Sequence, residues 1–157
     1  MITVEFPDKS IRKFPQGTTS LDIAKSISEG LARNVLAAKI NGKVVDATKP
    51  INSKEKINLE LLTWQDKDGK STFWHSSAHL LAEAIQYYYP DAKFAIGPPI
   101  ENGFYYDIDF SNNRSFSSED FPKIESKIIE LAKQKNNFTS SPISKIEALD
   151  FFSKKKN

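Results

Sequence analysis

The chain contains no cysteine, so neither a disulfide nor a thiolate metal site can form within it. It has only two histidines, which confines any imidazole chemistry to one place. Charge of one sign is also missing: 22 basic against 20 acidic residues leave a formal net charge of +2. That balance is too small to argue for nucleic-acid binding by bulk electrostatics, so such contact would have to come from local patches or from parts outside this chain. No apolar run approaches membrane-spanning length, and the opening MITVEFPDKS has neither the basic nor the apolar segment of a signal peptide. A cytoplasmic protein with no membrane partner is the simplest reading.

What is present describes a soluble chain of 157 residues, with room for one medium or two small domains. Ile2, Val4 and Phe6 alternate with polar residues, and Pro7-Asp8-Lys9-Ser10 turns the chain into Ile11 to Phe14, a hairpin signal. Thr19 with Asp22 predicts a capping box before Leu21, Ala24, Ile27 and Leu31, which recur at helical spacing. Asn41-Gly42 between two apolar runs predicts a second tight hairpin, and Ile57, Leu59 and Leu61 a closing strand. Hairpin, helix and further strands over about sixty residues predict a small α+β unit of β-grasp type (1–62). The polar stretch 63–72, with its Asp68-Gly69 turn signal, is expected to be a linker short enough for the two halves to touch.

Both histidines lie in the second half, four positions apart. At about 100° per residue, His75 and His79 share one helical face. Trp74, Ala78, Leu81, Ile85 and Tyr88 form an apolar stripe beside them, and Pro90 predicts that the helix ends near Tyr89. Two readings stand side by side: a half-buried pair that hydrogen-bonds locally, or a site that grips a metal, holds a water or shuttles a proton. A zinc-protease helix would carry glutamate after the first histidine, where this chain has Ser76. Further on, Lys93 to Ile96 is a strand candidate, and Gly97 is either a turn residue or a point of close ligand approach. Phe104, Tyr106, Ile108 and Phe110 alternate with polar positions as one strand would. Ser111 to Arg114 is expected to turn, and Ser118 or its neighbour to cap a helix with Phe121, Ile124, Ile128 and Leu131 buried. Lys123, Glu125, Lys127, Glu130 and Lys133 are expected on its solvated face. Phe138 to Ser141 is a strand candidate, and Ser144 with Glu147 a second capping box.

The run His75-Ser-Ser-Ala-His79-Leu-Leu, then Ile96-Gly97-Pro98, then Asn102-Gly103-Phe104-Tyr105-Tyr106-Asp107, resembles the editing domain of the bacterial threonyl-tRNA synthetase family, to which the alanyl enzymes have a related domain. The first sixty residues resemble the TGS domain, the ubiquitin-like module at the front of those enzymes. The resemblance implies a β-grasp TGS domain (1–62), a linker (63–72) and an α/β editing-type domain (73–157) that is incomplete at its C-terminal side. It further implies hydrolysis of mischarged Ser-tRNA(Thr), with His75 and His79 as catalytic residues and Gly97 and Tyr106 as substrate-binding residues. A pocket lysine, an acidic residue and a Cys-x-x-x-His motif are expected beyond Asn157. So are the ligase site with its ATP, Mg and Zn, an anticodon-binding domain, and the contacts of a homodimer. The tRNA(Thr) acceptor end and its seryl ester are the implied partners, and no cofactor is expected within this chain. The alternatives are a non-catalytic RNA- or protein-binding module, or a metallohydrolase of the alanyl-editing type.

Zinc sites use three or four protein ligands, and two imidazoles without cysteine fall short of that set. Protein dialysed against metal-free buffer is expected to carry no stoichiometric metal. Elemental analysis checks this, and near-equimolar zinc would contradict it.

Overall fold

The computed structural model describes residues 1–110, 116–136 and 139–154. The expected first hairpin forms as β1 (Ile2–Glu5) and β2 (Ile11–Phe14), paired antiparallel with Ile2 opposite Phe14. The Asn41-Gly42 hairpin forms as well, between β3 (Ala37–Ile40) and β4 (Lys43–Val45). Both turn residues are left-handed, with φ of 49° and 81°, as a two-residue loop of the primed type requires. Asn41 does a second job, because its side-chain oxygen accepts from Asn58 N at 2.8 Å and joins the turn to the next strand. That strand, β5 (Ile57–Leu62), runs parallel to β1 and antiparallel to β3, giving one five-stranded sheet in the order β2-β1-β5-β3-β4. Ile2, Val4, Ile23, Ala38, Ile51, Ile57 and Leu59 make its core. This is the mixed sheet of a β-grasp unit.

The helical stretch across that sheet departs from expectation. The Thr19–Asp22 capping box is complete in both directions, but the helix it opens, α1 (Ser20–Ile27), stops at Ser28. Ser28 is extended, and its hydroxyl accepts from Leu31 N at 3.0 Å, so it starts a second short helix, α2 (Glu29–Asn34). Serine competes well as a cap because its side chain replaces a missing backbone partner. The buried positions are then Ser20, Ile23, Ala24 and Ala32, while Ile27 is exposed.

The stretch 63–72, expected as a linker with a turn at Asp68-Gly69, is largely helix. The long helix α3 (Lys67–Tyr88) takes in both residues. Only Thr63 to Asp66 separate it from β5. The Asp66 carboxylate accepts from Thr63 N at 2.7 Å and from Thr63 Oγ1 at 3.1 Å, closing this turn on itself. Gly69 is buried against the same turn: a Cβ there would lie 2.1 Å from the Thr63 carbonyl oxygen. Asp68 pairs with Lys39 of β3 at 2.6 Å, so the helix start is fixed to the sheet. The Asp-Gly signal was therefore a packing requirement and not a turn.

α3 ends at Tyr88, with Tyr89 as its C-cap, in line with Pro90. Along it Ala78 and Ile85 are buried as the stripe predicted, Ala84 is buried too, and Tyr88 is exposed. The expected strand 93–96 is only Lys93–Phe94 (β6), paired with Ile108–Asp109 (β9). Pro99–Ile100 (β7) and Gly103–Phe104 (β8) make a small hairpin across the glutamate-asparagine turn 101–102. The expected continuous strand through 104–110 is thus split into β8 and β9, although its alternation holds: Phe104, Tyr106, Ile108 and Phe110 face inward and Tyr105, Asp107 and Asp109 outward. After a 3-10 turn (Ser118–Asp120) capped by Ser117, α4 (Phe121–Gln134) lies along α3. Ile124 and Leu131 are buried as expected, but Phe121 is exposed. Lys127, assigned to the solvated face, is buried, with Nζ 3.6 Å from the Tyr87 ring centre and 2.9 Å from Glu130. Long lysine stems bury readily when the ammonium keeps a partner. Residues 139–141 form no strand; Phe138 and the expected turn 111–114 lie outside the described residues. The Ser144–Glu147 box caps α5 (Lys145–Lys154), on which Leu149 and Phe152 are exposed.

Two expected outcomes follow from these joints. Gly69→Ala forces a methyl into the Thr63 carbonyl and should destabilise the protein by about 1–3 kcal/mol in urea unfolding at neutral pH. The second concerns the start of α4, where Asp120 accepts from Lys123, Tyr89 and Ser117. These bonds hold its carboxyl far below the ordinary 3.8, the Lys123 bond contributing most. A carboxylate held low in the folded state contributes stability above its unfolded value and loses it as pH falls. The urea midpoint should therefore drop from about pH 5 downward, and Asp120→Asn should flatten that drop while lowering the midpoint at pH 7.

Candidate functional site

α3 carries the two histidines one turn apart, and the rings meet. His79 Nε2 lies 3.1 Å from His75 Nε2, with ring centres 4.7 Å apart and planes at 86°. Such a contact needs one nitrogen with its proton and one bare, so one of the two exposed rings donates to the other. Among the described residues no group of three or more His, Cys, Asp or Glu is placed to hold a metal ion. The imidazole pair supplies two donors, short of the three or four protein ligands of a zinc site.

Gly97 and Tyr106 also meet. A Cβ on Gly97 would lie 2.7 Å from both Cδ2 and Cε2 of Tyr106, so any side chain at 97 would collide with the ring. The space over Gly97, where a ligand's approach was one of two expectations, is taken here by the Tyr106 ring. Phe94 packs edge-on against the same ring at 5.6 Å, which fixes its plane. Tyr106 also lines an apolar cleft of about 350 Å³ with Leu81, Ile85, Phe104 and Ile124. His79 lines a different one, of about 530 Å³, between α3 and the end of α4. The structure therefore forms two pairs, His75 with His79 and Gly97 with Tyr106, and puts His79 and Tyr106 on separate clefts.

Sequence reading missed the residues that share the His79 cleft. Ser76, Glu83 and Lys135 line it over an apolar floor that includes Phe73, Leu80 and Leu131. Glu83 was findable, since 75, 79 and 83 repeat at one-turn spacing. Lys135 was not, because only the packing of α4 on α3 brings it there. Above the histidines, Trp74 sits among Trp64, Phe73 and Phe104, with ring centres 5.4–6.3 Å away. Its buried Nε1 has no hydrogen-bond partner among the described residues.

Comparison with known proteins names a family for the first half and relatives for the whole chain. Residues 2–59 match the TGS domain family. A threonine–tRNA ligase of Cytophaga hutchinsonii is 57% identical over 157 residues, covering 100% of this chain and 24% of the relative. Those of Parabacteroides distasonis and Flavobacterium johnsoniae are 49% and 46% identical over 152 residues, 97% of this chain and 23% of theirs. The chain thus spans about a quarter of the length of the curated relatives it matches. With a TGS domain at its front and this identity running on through the histidine helix, the chain belongs to the bacterial threonine–tRNA ligases and corresponds to their N-terminal region.

Proposed function

We propose that residues 73 onward act in proofreading, hydrolysing the seryl ester of mischarged tRNA(Thr), with residues 1–62 as the TGS domain beside it. The need is physical. Serine lacks one methyl of threonine, and such a difference gives only about 1–3 kcal/mol of discrimination in a single pocket. A second site that admits serine, excludes threonine by shape and hydrolyses the ester restores accuracy.

The observation that carries this reading is the His75–His79 contact. A water or the terminal ribose hydroxyl that replaces it would accept from the protonated Nε2 and donate to the bare one. That is what a general base needs in order to activate a nucleophile, and it uses no metal. Gly97 and Tyr106 would hold the adenosine or the seryl group, Tyr106 through a ring plane already set by Phe94 and by the Gly97 backbone. The wider activity belongs to a protein of the relatives' length: charging tRNA(Thr) with threonine at the expense of ATP, with Mg and Zn at a ligase site outside these residues. A cytoplasmic homodimer is the expected form.

The test is deacylation of Ser-tRNA(Thr) by a protein of the relatives' length. It should hydrolyse the seryl ester and spare Thr-tRNA(Thr), and His75→Ala or His79→Ala should each slow it by at least about tenfold. The 157 residues alone should hydrolyse it negligibly, because catalytic groups act as a set held to fractions of an ångström. Unchanged rates in both histidine variants would leave the binding-module reading in its place.

A further inference from the structure

The Nε2 atoms of His75 and His79 face each other at 3.1 Å, on a helix that holds the two residues one turn apart. That separation fits a second use besides a hydrogen bond. Metal–imidazole bonds of about 2.0–2.1 Å drawn from both nitrogens would meet at about 98°. The angle is close to the right angle of a tetragonal nitrogen and oxygen site, the geometry of copper(II) and nickel(II). Both rings are exposed, so waters can complete the coordination shell and no charge has to be buried. The helix is formed before any metal arrives, so the second bond orders no further backbone. Among the described residues no group of three or more His, Cys, Asp or Glu surrounds the pair. A site with two protein ligands exchanges its metal readily, in line with metal-free protein after dialysis.

We propose that His75 and His79 form a labile bidentate site for copper(II), with nickel(II) as a weaker member of the same class, and that the metal acts as an off-switch for the pair. On binding, the proton of the donating ring moves from Nε2 to Nδ1 through water, so both rings stay neutral and no electron is transferred. The site stands on the geometry alone. The switch rests on the proofreading reading, because a metal on both nitrogens leaves neither bare to take a proton from a nucleophile.

The test adds copper(II) chloride to the 157-residue protein in a weakly coordinating buffer, followed by calorimetry and NMR. One equivalent should bind, and paramagnetic broadening should centre on His75 and His79. His75→Ala and His79→Ala should each weaken the dissociation constant by at least about tenfold, because the second imidazole no longer acts as an intramolecular ligand. Both positions are exposed, so the metal-free Tm of each variant should match that of the parent. Nickel(II) and zinc(II) should bind more weakly than copper(II), and magnesium, which prefers oxygen ligands, should not bind. Broadening centred on the Met1 amino group, or an affinity unchanged in both variants, would overturn the site. For the switch, copper(II) at a concentration that saturates the pair should stop deacylation of Ser-tRNA(Thr) by a protein of the relatives' length, and EDTA should restore it. Copper(II) seated on the pair with the rate unchanged would overturn the switch. A protein that deacylates nothing before copper(II) is added would refute the proofreading reading and the switch with it, while the titration judges the site separately.

Discussion

Between the last strand of the sheet and the long helix the chain has four residues, Thr63 to Asp66, in which to reverse its course. Gly69 must then pass so close to the Thr63 backbone that no Cβ fits, and Asp66 must turn its carboxylate back to Thr63 instead of capping the helix in the usual way. The direction of α3 is set by this contact and by the Lys39–Asp68 pair beside it. The second half is built on that direction, because the β7–β8 hairpin and α4 both pack on α3. A histidine pair on a helix is useful only if its face is held at a defined angle to its neighbours. Here the angle is set at the helix start, two turns before His75.

The far end of α3 is held by different means. Tyr89 donates to Asp120 at 2.6 Å, and Lys123 reaches both groups while lying 5.0 Å from the Tyr89 ring centre. Hydrogen bonds to charged groups exceed neutral ones in strength, so this small cluster ties the end of α3 to the start of α4. The core between them is modest, with Ala84, Ile85, Ala92, Ile124 and Leu131 buried. Small residues at 84 and 92 let the elements approach closely. The exposed Ile146, Leu149 and Phe152 of α5 lie outside that core. Polar joints at both ends and a thin apolar centre leave the middle of α3 accessible on its histidine side.

Much of the first half was legible because its signals are local. Thr19 with Asp22, the Asn41-Gly42 loop and the alternation of β1 and β5 act through neighbours a few residues away, so reading them needs no partner element. Errors came where a local signal served a distant need. Asp68-Gly69 looks like a turn, yet the glycine answers a backbone contact and the aspartate a lysine on β3. Lys127 looks solvated on its own helix, and only the Tyr87 ring on α3 buries it. Ser28 was passed over because the 3.6-residue pattern runs on through it, and a cap interrupts a pattern without altering its composition.

For the candidate site the division is similar. Sequence by itself determined that the two imidazoles share one helical face, that the helix ends before Pro90, and that Tyr106 lies on the inward side of the segment joining β8 to β9. These follow from fixed periods of 3.6 and 2 and from the backbone limits of proline. Tertiary structure alone decided that Gly97 is pressed against Tyr106 and that Glu83 and Lys135 border one cleft with His79. It also put His79 and Tyr106 on different clefts. These depend on contacts between residues far apart in the chain, and only the packed helices and hairpin specify such contacts.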